Sequence, residues 1–143
     1  VSAKYRHQAD QQNILLKVEA EVDLPEIEVD PGRMEQVLGN LVSNALRFTP
    51  ANGEIELTAV QPNPDHIQLI VKDNGAGIPP EVLPKVFDRF YKADESRQAH
   101  EGESGLGLAI ARSIVRMHNG IIEVASQQGE GTQFTITLPI KNS

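Results

Sequence analysis

At 143 residues the chain has the length of one domain able to bury a core of its own, and 39% hydrophobic with 23% charged residues excludes a disordered polymer. The absence of cysteine excludes a disulfide framework and a thiolate zinc site, and a net charge of −7, from 20 acidic against 13 basic residues, disfavours broad phosphate neutralisation on nucleic acid. No apolar run approaches the roughly 20 residues that span a bilayer, and no signal-peptide pattern is present. The start at Val1 reads as a fragment of something longer, which leaves room for a membrane anchor elsewhere.

Residues 1–13 are polar and helix-tolerant, as expected for the tail of a helix arriving from upstream. Over 14–22 the residues alternate. Leu16, Val18, Ala20 and Val22 fall on one face and Lys17, Glu19 and Glu21 on the other, which predicts a half-buried strand. After Asp30-Pro31-Gly32 the clearest helix begins: Met34, Val37, Leu38, Leu41, Val42 and Ala45 recur at helical spacing. Asp30 suits its cap, Pro31 is allowed in its first turn, and Thr49-Pro50 stops it. Residues 54–61 and 66–73 predict two strands joined by a turn rich in proline and asparagine, followed by a glycine-rich loop and a short helix near 80–86. A polar stretch over 92–104 precedes a second long helix over 105–118, ended by Asn119-Gly120. Strands over 121–126 and 132–140 close the chain around a turn at Gln128-Gly129-Glu130-Gly131. Two antiparallel hairpins and three helices predict an α/β fold, a two-layer sandwich with a mixed, mostly antiparallel sheet.

Five groups of residues are candidates for chemistry. Arg33, Gln36, Asn40, Asn44 and Arg47 share a narrow sector of the first long helix, beside its apolar stripe. Asparagine is a mediocre helix former, and a carboxamide oxygen is a hard neutral donor suited to Mg²⁺. The plainer alternative is a polar face, or a hydrogen bond to a neighbouring loop. Asp73 follows the parity of Ile67, Leu69 and Val71, so it points inward, where a carboxylate needs a partner such as an exocyclic amine. Gly75 and Gly77 would allow a flat ring close to the backbone, while the alternative has Asp73 capping its own loop. The run Gly102-Glu103-Ser104-Gly105-Leu106-Gly107-Leu108 feeds a helix N-terminus that suits a triphosphate, though it is no Walker loop and many such turns bind nothing. Thr132 shares the parity of Phe134, Ile136 and Leu138, so its hydroxyl points inward toward a base beside Asp73, or sits in an ordinary hairpin. Phe87-Asp88-Arg89-Phe90-Tyr91 gather much of the small aromatic content, either docking rings into the core or also hinging a lid.

In this order and spacing the groups resemble the catalytic ATP-binding domain of bacterial sensor histidine kinases. Asn40-Leu-Val-Ser-Asn44-Ala-Leu-Arg47-Phe48-Thr49-Pro50 resembles the N box, and Asp73-Asn-Gly75-Ala-Gly77-Ile78-Pro the G1 box. Phe87 to Tyr91 resembles the F box, and Ser104-Gly-Leu-Gly-Leu-Ala-Ile and Gly129-Glu-Gly131-Thr132-Gln-Phe the later glycine boxes. The resemblance covers about residues 14–140 and implies the Bergerat ATP-binding fold over 14–143, with 1–13 ending a helix or linker from a dimerisation domain. It implies that Asp73 holds the adenine amine, with Gly75, Gly77, Ile78 and Thr132 around the nucleotide. Asn44 would coordinate Mg²⁺, with Asn40 supporting the metal or its waters. Arg47 would lie near the phosphates, and Phe48 beside the base. Gly105, Leu106, Gly107 and Leu108 would supply lid backbone, and Arg97 a lid contact to phosphate.

ATP-hydrolysing relatives carry a glutamate one turn before the metal-binding asparagine; here that position is Asn40, which cannot act as a general base. The implied activity is therefore transfer of the γ-phosphate to a histidine on a separate dimerisation domain, then to a response regulator. The whole protein is expected to be a homodimer at the bacterial cell membrane, with this domain in the cytoplasm and no nucleic-acid partner. A stand-alone ATPase and a pseudokinase are the rivals. Glu103 departs from a usual glycine in the lid, and Asn119 from a glycine after His118. His7, His66, His100 and His118 all lack the flanks of an acceptor histidine, and His118 reads as structural.

Overall fold

Strand parity decides which side of the sheet is covered. In a computed structural model of the chain, residues 3–21, 29–78, 80–81, 83–87 and 107–140 are described. Five strands lie in the order β1-β2-β3-β5-β4: β1 (Leu15–Ala20), β2 (Glu54–Asn63), β3 (His66–Asp73), β4 (Ile121–Gln127) and β5 (Gly131–Pro139). β1 runs parallel to β2; β2–β3 and β4–β5 are the two predicted antiparallel hairpins, and β3 pairs antiparallel with β5 as well. Register stacks the inward residues into rows across the sheet. One is Val18, Leu57, Val71, Phe134 and Val124; another is Ala20, Ala59, Leu69, Ile136 and Ile122.

Three α-helices are present among the described residues: α1 (Ala3–Gln11), α2 (Pro31–Phe48) and α3 (Gly107–Met117). α2 buries Met34, Val37, Leu41, Val42, Ala45 and Leu46 in one core with Ile55, Val71, Phe134, Ile136 and Leu138 of the sheet and Ala111, Ile114 and Val115 of α3. The two-layer α/β sandwich is thus the observed architecture. The helix boundaries follow local chemistry. Asp30 caps α2 by accepting a hydrogen bond from the Arg33 N–H at 3.2 Å, and Thr49 leaves helical geometry (φ −99, ψ 125) before Pro50. α3 ends where Asn119 takes φ 61 and the Gly120 N–H donates to the Val115 carbonyl at 2.9 Å.

His118 is structural, as expected. Its Nδ1 lies 2.9 Å from the Ile114 carbonyl, so that nitrogen carries the proton, while Nε2 accepts the Asp30 N–H at 3.0 Å. A neutral imidazole therefore ties the start of α2 to the end of α3.

Two expectations are corrected. The short helix near 80–86 is a 3₁₀ turn at Leu83–Lys85; Pro84 within it has no N–H to donate, which works against a longer helix. The predicted half-burial of the first strand holds at Leu16, but Val18 is 48% exposed. β1 is an edge strand, and Leu16 is buried in the same core as Ala9 of α1 and Ile14 of the following turn.

Candidate functional site

One row of the sheet's core face changes character partway. Leu16, Ile55, Asp73, Thr132 and Ser126 are successive register partners on β1, β2, β3, β5 and β4. The first two are apolar and the last three polar, so a polar corner is set into an otherwise apolar surface. Asp73 is 7% and Thr132 8% exposed. Desolvation pushes the Asp73 pKa up; hydrogen bonds from the Gly75 and Thr132 backbone N–H groups pull it down, and the net direction is upward. The Gly75 N–H donates to Asp73 Oδ1 at 2.8 Å. Asp73 is therefore an inward-pointing acceptor that also caps its own loop.

The loop after β3 is held on two sides. Against α2, Gly75 sits so close that a Cβ there would lie 2.5 Å from the Phe48 carbonyl oxygen. Against the β4–β5 hairpin, Gly77 takes φ +80, and a Cβ would collide with the Gln127 carbonyl. The Gly129 N–H donates to the Ala76 carbonyl at 2.7 Å, and the Ile78 N–H to Ser126 Oγ at 2.7 Å. Ser126 Oγ in turn donates to the Gly131 carbonyl at 2.9 Å and lies 3.0 Å from Thr132 Oγ1. Sequence reasoning missed Ser126, although its parity with Ile122 and Val124 was a usable signal.

α2 brings its polar sector to the same region. Asn40 Nδ2 donates to the Gly107 carbonyl at 3.0 Å, joining mid-α2 to the first residue of α3. The neighbouring-element alternative is thus realised for that amide nitrogen. Arg47 Nη2 donates to Asn44 Oδ1 at 3.0 Å, and its guanidinium lies 4.6 Å from the Phe48 ring centroid, a cation–π distance. Leu108 packs partly buried against the core, and Ile78 is half-buried. Phe87 meets Phe134 edge-on, with centroids 6.0 Å apart, and Arg112 lies 5.4 Å from its ring. The first residue of the Phe87–Tyr91 run therefore docks into the core. Arg97, His100, Glu103, Gly105 and Leu106 lie outside the described residues, as do residues 88–91 of that run and the stretch 92–104.

Among the described residues no cluster of three or more His, Cys, Asp or Glu is available to hold a metal ion. A cation at the α2 face would meet amide oxygens, and its charge would be balanced by a ligand's phosphates. That donor set suits Mg²⁺, which keeps several waters and shares phosphate oxygens.

Residues 29–142 match the family described as histidine kinase-, DNA gyrase B-, and HSP90-like ATPase. The chain belongs to that family. Its curated relatives include Sensor histidine kinase WalK of Bacillus subtilis, 43% identical over 116 residues, and Sensor protein SrrB of Staphylococcus aureus, 47% identical over 110 residues. These alignments cover 80% and 77% of the chain but 19% of each relative, so the chain spans about a fifth of their length. Among solved structures, the mycobacterial sensor histidine kinase MprB superposes with a TM-score of 0.80 at 29% identity, covering 96% of this chain and 91% of that one. Full-length ShkA in complex with AMPPNP gives 0.83 at 29% identity, covering 96% of this chain and 28% of that one. Within the histidine kinase-like ATPases, then, the chain is an ATP-binding catalytic domain of the sensor histidine kinase kind. The run resembling the N box, Asn40 to Pro50, lies on the second half of α2 and the two residues after it. The described part of the run resembling the G1 box, residues 73–78, ends β3 and opens the loop after it. The run resembling the last glycine box, Gly129 to Phe134, turns into β5.

Proposed function

We propose that the domain binds Mg·ATP with adenine at the polar corner and presents the γ-phosphate to a histidine on a separate dimerisation domain. The observation that carries this reading is Asp73, a buried carboxylate that, among the described residues, accepts hydrogen bonds only from backbone N–H groups of its own loop and of Thr132. A carboxylate so placed suits the exocyclic amine of a base. Gly75, Gly77 and Ile78 would lie along the base, with Thr132 beside Asp73 and Phe48 at the ring's edge. Arg47, Gly107 and Leu108 would face the phosphates, joined by Arg97, Gly105 and Leu106.

Asn44 would hold Mg²⁺, with Asn40 supporting it, and Mg²⁺ would supply charge neutralisation across the phosphates. Arg47 donates to the same Asn44 oxygen, so this cation and the guanidinium compete for one acceptor. Handing Arg47 to phosphate oxygens resolves the competition and places a second positive charge near the transferred group. A neutral imidazole nitrogen attacks the γ-phosphorus, the bond to the bridging oxygen breaks, and ADP leaves. Little but positioning and charge stabilisation is asked of the protein. Asn40 cannot take a proton from water at neutral pH, which favours transfer over hydrolysis and disfavours a stand-alone ATPase. In the whole protein the phosphoryl group would pass to a response regulator receiver domain. That protein would be a homodimer anchored at the membrane, with this domain in the cytoplasm; among the described residues no helix is long and apolar enough to cross a membrane.

The test is to incubate this chain with Mg·[γ-³²P]ATP and the separately produced dimerisation domain of the same protein. Acid-labile, base-stable label on that domain, and none on this chain, is the expected result. Phosphate release by this chain alone, as fast as transfer, would favour the ATPase reading instead.

A further inference from the structure

Ser126 has no part in the roles above, yet its hydroxyl is the meeting point of the polar corner. Three groups surround Oγ: the Ile78 N–H at 2.7 Å, the Gly131 carbonyl at 2.9 Å and Thr132 Oγ1 at 3.0 Å. A serine hydroxyl has one proton and two lone pairs. The Gly131 carbonyl is an acceptor only, so it takes the Ser126 proton. The Ile78 N–H is a donor only, so it occupies one lone pair. The remaining lone pair faces Thr132, whose hydroxyl must then be the donor. With its proton held by Ser126, Thr132 Oγ1 offers other neighbours lone pairs alone.

We propose that Ser126 is a positioning residue for base selection: it fixes the loop after β3 through Ile78 and orients the Thr132 hydroxyl, so that Asp73 and Thr132 both present acceptors. Ser126 does not touch the base. A purine with an amino group at the recognised edge finds acceptors there, whereas a purine with a carbonyl in its place meets lone pairs. This inference rests on the adenine reading given above. Loss of the Ser126 hydroxyl would free the Thr132 proton to turn outward and donate to such a carbonyl. It would also leave the Ile78 N–H without its acceptor.

The test compares ADP with IDP, whose hypoxanthine carries a carbonyl where adenine carries the amine. Affinities are measured for the wild-type chain, Ser126→Ala, Ser126→Thr, Thr132→Val and the Ser126→Ala/Thr132→Val double variant. Amide exchange at Ile78 is followed without ligand. In Ser126→Ala, ADP affinity should fall about 5- to 10-fold, and the ADP-over-IDP preference should fall by a similar factor. Ser126→Thr, which keeps a hydroxyl, should restore the preference. In the Thr132→Val background the Ser126→Ala change should leave the preference unmoved, because its route to the base is gone. Ile78 exchange should quicken about tenfold in Ser126→Ala and stay slow in Thr132→Val. An unchanged ADP-over-IDP ratio in Ser126→Ala, beside normal wild-type binding, would overturn this inference and leave the adenine reading standing. The same would follow from an equal shift in the Thr132→Val background. A folded wild type that binds neither nucleotide would overturn both.

Discussion

Asp73 is held in the folded state in a form its surroundings disfavour. Burial raises its pKa above the ordinary carboxylate value. The unfolded chain therefore ionises first as pH rises, and the folded state loses stability from the ordinary carboxylate range up through the raised value. Asp73→Asn removes that loss and keeps an oxygen for the Gly75 N–H. Thermal melts should therefore show the variant at least as stable as wild type at neutral pH, with a flatter profile across the acidic window. A clearly lower melting temperature at neutral pH would contradict this. ADP affinity of the wild type should likewise weaken on acidification, as the carboxylate gains a proton and loses its hold on an amine. At Asn44 the prediction is conditional: Asn44→Ala should weaken nucleotide binding with Mg²⁺ present and have little effect in excess chelator, as read by titration. An equal loss in both would contradict the metal role. Parity alone made Asp73 and Thr132 legible in the sequence, since each ends a run of apolar partners. Ser126 was missed although it shares the parity of Ile122 and Val124, because it sits among the exposed Ala125, Gln127 and Gln128 and its partner Thr132 is set by the β4–β5 register.

At the scale of elements, the helices were legible where capping chemistry is strong. Asp30, Pro31 and Thr49-Pro50 bound α2, and Asn119-Gly120 ends α3. Edges were less so. Alternation predicts which side of β1 faces inward but not whether anything covers it: of the expected inward residues Val22 lies outside the described ones, and among the others only Leu16 is buried. The mutual placement of α2 and α3 was also invisible in sequence, because besides their shared apolar core it uses single bonds between distant residues. One is Asn40 Nδ2 to the Gly107 carbonyl; the other runs through His118 to Asp30. Asn40 thus has a structural duty besides any toward metal or water. An aspartate there has no proton to donate and would set a charge against the Gly107 carbonyl. Asn40→Asp should cost about 1–3 kcal/mol, read as a lower urea midpoint. An unchanged midpoint would show that the tie contributes nothing to stability.

For the whole molecule, the order of the boxes carried more than composition could. The net charge of −7 disfavours a class of partners but names none. The fold follows from two hairpins, one parallel edge strand and two long helices sharing a core, and it places α2, the loop after β3 and the β4–β5 hairpin around one corner. Nucleotide binding at that corner is the central claim, and calorimetric titration tests it most directly. This chain would be titrated with ADP and with a non-hydrolysable ATP analogue, with and without Mg²⁺, beside Asp73→Asn. Saturable binding by the wild type, weakened roughly 100-fold or more in the variant, is the predicted result. Equal affinity in the two folded proteins, or no binding by a folded wild type, would contradict it.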